Sequence, residues 1–409
     1  MKYQNSNKSS GMIRKFPYPF KAMFALCSDL DETPDKETYF AISKYLNTKD
    51  KTVMGRGVGL EIGNTIYFEM PKDQFSYWNT DDEGRKNILQ LIKSGHIDCI
   101  HSYGDYVDSR DKVIEIHNEF EKAGCAPAVW VDHAVAPSNF GADIMCGQGD
   151  LEDSPVYHAD LTMSLGIKYL WMGRVTSITG QETARKYTDI FETAHPVVSL
   201  ITMFKEITKV ALGRLGSKKY RLHKNNDLAV SAQLRNGLSA MEFVRSNPYW
   251  GGVSQAETAY GLKYVLTKKY IERLISKNAY SILYTHLGKI KDKSEPFDKE
   301  TRESLDVLSE YYQNGDILVA TTKRLLDYYM MSNNVQVNMD HNEDNLNIYV
   351  SGDYTIDQLD GLTIYVPAKT RKCKMFFNDE RIDDISLNDV DESGDKSVSV
   401  RWKRLNYPL

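Results

Sequence analysis

Ala22-Met-Phe-Ala-Leu-Cys-Ser28-Asp29-Leu30-Asp31-Glu32-Thr33 decides how this chain is read. An uncharged, mostly apolar run ends abruptly in carboxylates, and Pro34-Asp-Lys-Glu then opens a stretch of helical spacing through Leu46. Apolar residues without alternation suit a strand buried on both faces, while proline in a first turn followed by acids suits a helix N-terminus. Strand, polar loop and helix together make the repeating unit of an α/β fold.

Working outward, the unit recurs. Residues 82–94 read as a helix ending at Gly95, 97–100 as a strand leading into His101, and 110–123 as a helix ending at Gly124. Short apolar runs at 127–131, 167–171, 281–284 and 317–320 follow, the last before a helix at 323–329. The expected fold class is α/β, a distorted (β/α) barrel of about seven or eight strands covering residues 20–332, with function at the C-terminal strand ends. Between Gly57 and Met70 the alternation of Val58, Leu60 and Ile62, followed by Gly63-Asn64, predicts a hairpin over one barrel end. Residues 176–279 are mostly helical in pattern, with a basic stretch at 218–224 and a glycine-rich turn at Trp250-Gly-Gly, and no strand is assigned there. From Val335 onward the period changes to two, which predicts a small C-terminal β-sandwich-like domain over 333–409. Residues 1–19 are left as an N-terminal extension.

Composition narrows the function classes. A net charge of -5 over 409 residues provides no broad basic face, so nucleic acid is not an expected partner. Residues 1–15 are polar where a secretory signal needs an apolar core, and no window has the apolar length of a membrane span. The cysteines Cys27, Cys99, Cys125, Cys146 and Cys373 are odd in number and form no CxxC pair, which argues against a disulfide scaffold and a cysteine zinc site. A cytoplasmic protein is expected.

The residues able to carry chemistry end the apolar runs. Asp29 and Asp31, two positions apart, can face one side and converge on a cation or a water. His101 and Asp105 combine imidazole with carboxylate, a set that zinc accepts, and share one side if the segment after the strand turns helically. His286 ends a third apolar run. Trp130-Val-Asp132-His133, with Asn139 beyond it, ends a fourth and supplies candidate substrate contacts, His133 being either an extra ligand or one of these contacts.

In this order the motifs resemble those of the polysaccharide deacetylases of the NodB-homology type, over about residues 20–330. Ser28-Asp29-Leu30-Asp31-Glu32 falls where that family carries T-F-D-D-G, His101-Ser-Tyr-Gly-Asp105 where it carries H-S/T-x-x-H, and Thr285-His286-Leu287 where its late histidine motif belongs. The resemblance implies Asp29 as general base, His286 as general acid, and Asp31, His101 and Asp105 as ligands of a divalent metal, Zn2+ or alternatively Mn2+, Co2+ or Ni2+. The implied substrate is an acetylated saccharide or sugar precursor. Leu30 splits the expected aspartate pair, so which aspartate meets the metal stays open. Asp105 stands where a histidine is expected, leaving Asp105 and His133 as alternatives for the third ligand, and the family's Arg-Pro groove motif has no evident counterpart. Two other readings compete. Asp29-Leu-Asp31-Glu-Thr33 also resembles the nucleophile motif of haloacid-dehalogenase-like phosphatases, and the altered ligand set suits a catalytically degenerate barrel that binds saccharide.

Overall fold

The computed structural model describes residues 12–30, 32–134, 136–248, 257–342 and 345–409. The Ala22–Ser28 strand is buried along its whole length. Its alternate residues face two cores: Ala22, Phe24 and Leu26 meet the helices, packing with Ile42, Ile88 and Ile116. Met23, Ala25 and Cys27 pack with Val129, Val131 and Ile282 instead. Two apolar environments explain a run with no polar alternation.

This strand is the hub of an eleven-stranded sheet. It pairs in parallel with Tyr280–Thr285, with Ile317–Val319 along its first half, and with Asn64–Ile66 at Ser28. From Asn64–Ile66 the order continues through Ile97–His101, Val129–Val131, Tyr169–Trp171, Ser239–Phe243 and Ala229–Gln233. In the other direction Tyr280–Thr285 is followed by Arg245–Ser246 and Val175–Thr176. The chain itself ties these two arms together. Tyr169–Trp171 leads across Gly173 into Val175–Thr176, and Ser239–Phe243 leads through Val244 into Arg245–Ser246. A curled, half-barrel sheet results, parallel among the described strands except where Ser239–Phe243 meets Ala229–Gln233.

Helices Asp82–Ser94 and Arg110–Ala123 occupy their expected ranges, each N-capped by an aspartate or serine side chain and closed by a left-handed glycine. Residues 57–70 depart from expectation. Asn64–Ile66 is a parallel strand of the main sheet rather than half of a hairpin. Gly63, read as a turn residue, is there for close approach: a Cβ at this position would lie 2.1 Å from Asp98 Oδ1. The small hairpin lies earlier, pairing Lys51–Thr52 with Gly55–Arg56. Residues 176–279 hold the 19-residue helix Pro196–Arg214 and three strands that the sequence did not separate. The Trp250-Gly-Gly turn lies outside the described residues.

Toward the C-terminus, a four-stranded and a three-stranded sheet share a core of Val337, Ile348, Ile364, Met375 and Val398. That core is continuous with Leu325, Tyr328 and Met331 of helix Thr322–Asn334, which packs on the central strand. Ile13 bridges to Ile364, and the Arg14 guanidinium binds Asp391 at 2.9 Å, so residues 12–19 dock on these small sheets. Arg324 reaches Glu61 and Asp360 while lying 3.9 Å from the Trp402 ring centroid, which pins the end of the chain. Among the described residues no helix is long and apolar enough to cross a membrane.

Leu283 is fully buried in the strand beside the hub. Leu283→Ala is expected to lower unfolding free energy by about 2–5 kcal/mol, with an unchanged m-value in urea titration.

Candidate functional site

Asp29 follows the last residue of the hub strand. Its backbone N–H donates to the Thr285 carbonyl at 2.9 Å, and the Leu30 N–H donates to Thr65 Oγ1 at 3.1 Å, so both neighbouring strands fix its position. The carboxylate is 1% exposed. An isolated charge there would cost several kcal/mol, and Arg245 offsets that cost. Its Nη1 and Nη2 donate to Oδ2 and Oδ1 at 2.6 and 2.9 Å. Arg245 is itself fully buried, its guanidinium carbon 4.1 Å from the Trp171 ring centroid and 4.9 Å from that of Tyr284. Burial works against the arginine's charge, but the charge and hydrogen bonds of Asp29, together with Cys27 and Tyr284, raise the Arg245 pKa.

Two imidazoles face the same carboxylate oxygen. His101 Nε2 lies 3.8 Å and His286 Nε2 4.0 Å from Asp29 Oδ2. His101 Nε2 also lies 3.2 Å from the Asp132 carbonyl, to which only an N–H can donate, and His286 Nε2 lies 3.1 Å from the Tyr284 hydroxyl. Asp29, His101 and His286 therefore come together from three different strand ends. His133 packs against His101 with ring centroids 4.8 Å apart and planes tilted by 57°, and its Nδ1 is 2.9 Å from Asp105 Oδ1. Tyr67 borders both histidine rings, 4.7 and 5.2 Å away.

The segment after His101 does not turn as a right-handed helix. Ser102, Tyr103 and Gly104 all have positive φ, at 49°, 64° and 115°. A left-handed conformation costs about 1–2 kcal/mol for each non-glycine residue, and such strain persists only where packing over-determines it. Tyr103 is held by full burial against Trp130 and His158, and Gly104 is obligatory because a Cβ there would lie 2.0 Å from the Glu69 carbonyl oxygen. The left-handed path carries Asp105 to His133, where the expected helical spacing would have stacked it on His101.

Behind the histidines stands a buried support. Asp132 accepts from Trp130 Nε1 at 2.7 Å and from the Phe140 and Gly141 backbone N–H groups at 2.9 and 2.8 Å. Burial pushes its pKa up to about 7 against these three donors. Trp130 is fully buried against Tyr103, Phe140 and His158, so it is placed in the core behind the loop. Asn139 is also buried, stapling the loop through the His133 N–H and the carbonyls of His133 and Met145. His158 closes the support. Its Nε2–H donates to the Ser138 carbonyl and its Nδ1 accepts from the Thr162 hydroxyl, both at 2.7 Å. Burial among aromatic rings lowers its pKa to about 4.

Asp31 lies outside the described residues, so the expected ligand set is seen only through His101 and Asp105. Among the described residues no three His, Cys, Asp or Glu side chains converge to hold a metal ion. The sequence reading did not find Arg245, whose only signal was a charge directly after the apolar pair Phe243-Val244. No known family model matches the chain, and no curated protein matches it.

Arg245→Met, which leaves the Asp29 charge buried and unpaired, is expected to cost about 3–5 kcal/mol. The Asp29→Asn/Arg245→Met double variant should fall short of the sum of the singles by more than about 1 kcal/mol in urea unfolding. His158 supplies a pH test. Its folded pKa lies below the unfolded value, so its contribution is complete above about pH 6.5 and disappears as pH falls toward 4. The stability difference between wild type and His158→Gln should shrink over that window by an amount on the order of 3 kcal/mol and stay flat above it.

Proposed function

We propose that the chain is a cytoplasmic hydrolase that deacetylates a saccharide or sugar precursor, with Asp29 as general base and His286 as general acid. One observation carries the reading: a buried carboxylate, paired with Arg245, whose Oδ2 faces two imidazoles at 3.8 and 4.0 Å. A single water bridging such separations is the proposed nucleophile, held by Asp29, His101 and His286. Asp29 takes a proton from this water as its oxygen adds to the acetyl carbonyl. His286, oriented by the Tyr284 hydroxyl, gives a proton to the departing nitrogen or oxygen as its bond to the acetyl carbon breaks. Acetate and a free amine or hydroxyl leave. His133 and Asp105, the more exposed members of the group, contact the sugar in this proposal.

The curled sheet with its site at the C-terminal strand ends supports a barrel of the deacetylase type. Arg245, with Pro248 three residues on, is our candidate for the arginine and proline that such a groove motif calls for. A divalent ion, zinc before manganese, cobalt or nickel, belongs to the proposal as an occupant for His101, Asp31 and Asp105. The described members of that set do not form a metal site by themselves, so each step above uses the chain's own groups. Phosphoryl transfer through Asp29 fits less well, because it leaves His101 and His286, which face the Asp29 carboxylate, without a role.

Acetate release from a panel of N- and O-acetylated saccharides tests the proposal. Turnover by wild type should fall about 100-fold or more in Asp29→Asn and in His286→Gln, the second of which leaves the ion pair intact. Absence of acetate release across the panel, or unchanged turnover in both variants, contradicts it. Metal analysis of the purified protein should find close to one divalent ion per chain, lost in His101→Ala.

A further inference from the structure

Helix Pro196–Arg214 is built inside out. The face packed on the protein carries Ser199, Thr202, Glu206, Val210 and Gly213, four of them polar or lacking a side chain. The opposite face carries Val197, Leu200, Ile201, Phe204, Ile207 and, just past the helix end, Leu215. Phe204 is 71% exposed and Leu215 83% exposed. At 100° per residue these apolar side chains form one continuous stripe, the reverse of an ordinary surface helix, which turns its polar face to water. Glu206 can afford its buried position because the Thr176 hydroxyl, the Ser177 N–H and Lys209 Nζ all bind it, at 2.9, 3.1 and 2.7 Å.

Charge identifies the partner. From Pro196 to Asn226 the sole acid is Glu206, already neutralised, while Lys205, Arg214, Lys218, Lys219 and Lys224 surround the stripe or follow it. This local excess of cations sits on a chain whose net charge is -5. A second copy seated symmetrically on the stripe would oppose two basic belts, since the acids at the helix's N-terminal approach, Asp189 and Glu192, already pair with Lys277 and Lys269. An anionic bilayer satisfies both features: acyl chains accept the apolar ridge and lipid phosphates accept the cations. The helix packs beside Thr176, which pairs level with Ser246, Leu283 and Leu26 across the sheet, three residues below Asp29. Helix and candidate site thus share one end of the sheet. We propose that this helix is a peripheral anchor lying in the surface plane of an anionic phospholipid membrane.

The test is vesicle flotation with the full-length protein. Wild type should float with vesicles of phosphatidylglycerol and phosphatidylcholine, poorly with phosphatidylcholine alone, and less at about 0.5 M salt. Phe204→Glu and, separately, Lys218→Glu/Lys219→Glu should each lower partitioning by about tenfold or more while leaving the urea midpoint unchanged. The second variant lies outside the helix, so its effect does not depend on helix stability. Failure to float with anionic vesicles, or equal flotation of wild type and both variants, overturns the proposal. So does a concentration-dependent dimer that Phe204→Glu abolishes without any vesicle binding, which would assign the stripe to a second copy.

Discussion

A buried, doubly hydrogen-bonded ion pair between Asp29 and Arg245 holds the candidate site together. Neither charge is tolerable alone at full burial, so the pair forces its two strand ends to stay in register. Arg245 sits where the chain has just changed arms of the sheet, and Asp29 ends the hub strand. The contact therefore joins the fold's closure to the candidate site. Trp171 and Tyr284, from two further strand segments, complete the cover over the guanidinium.

Strain and support converge on the same place. Consecutive left-handed residues after His101 direct Asp105 to His133, and the buried Asp132, Asn139 and His158 hold the loop that positions His133. These groups have no need to touch a substrate. Their effect is to hold the loop that carries His133 beside His101, which is what a site relying on positioned protein groups needs.

The parts of this arrangement differ in how legible they were in the sequence. Asp29, His101 and His286 could be found because each ends a run that burial makes apolar, and a polar residue at such a point stands out. Arg245 could not, because a two-residue strand has no periodicity to read and its partner is more than two hundred positions away. Gly63 looked like a turn and serves instead to admit the Asp98 carboxylate, a packing reason that no local pattern carries. The spacing of His101 and Asp105 implied a helical turn, whereas the backbone runs left-handed through a tyrosine, a choice made by tertiary packing. The outward apolar face of Pro196–Arg214 was hidden for a related reason: periodicity shows that a helix has an apolar stripe, not which way the stripe points.

An Asp29 that activates water, as proposed, does not itself become covalently attached to the substrate. Single-turnover hydrolysis of an acetylated saccharide in 18O-labelled water, followed by mass spectrometry of the acetate and of the peptide containing Asp29, tests it most directly. Water activation by Asp29 puts 18O in the acetate and none in the Asp29 carboxyl group. Incorporation of 18O into Asp29 would contradict it, since that label enters only through a covalent intermediate on the aspartate.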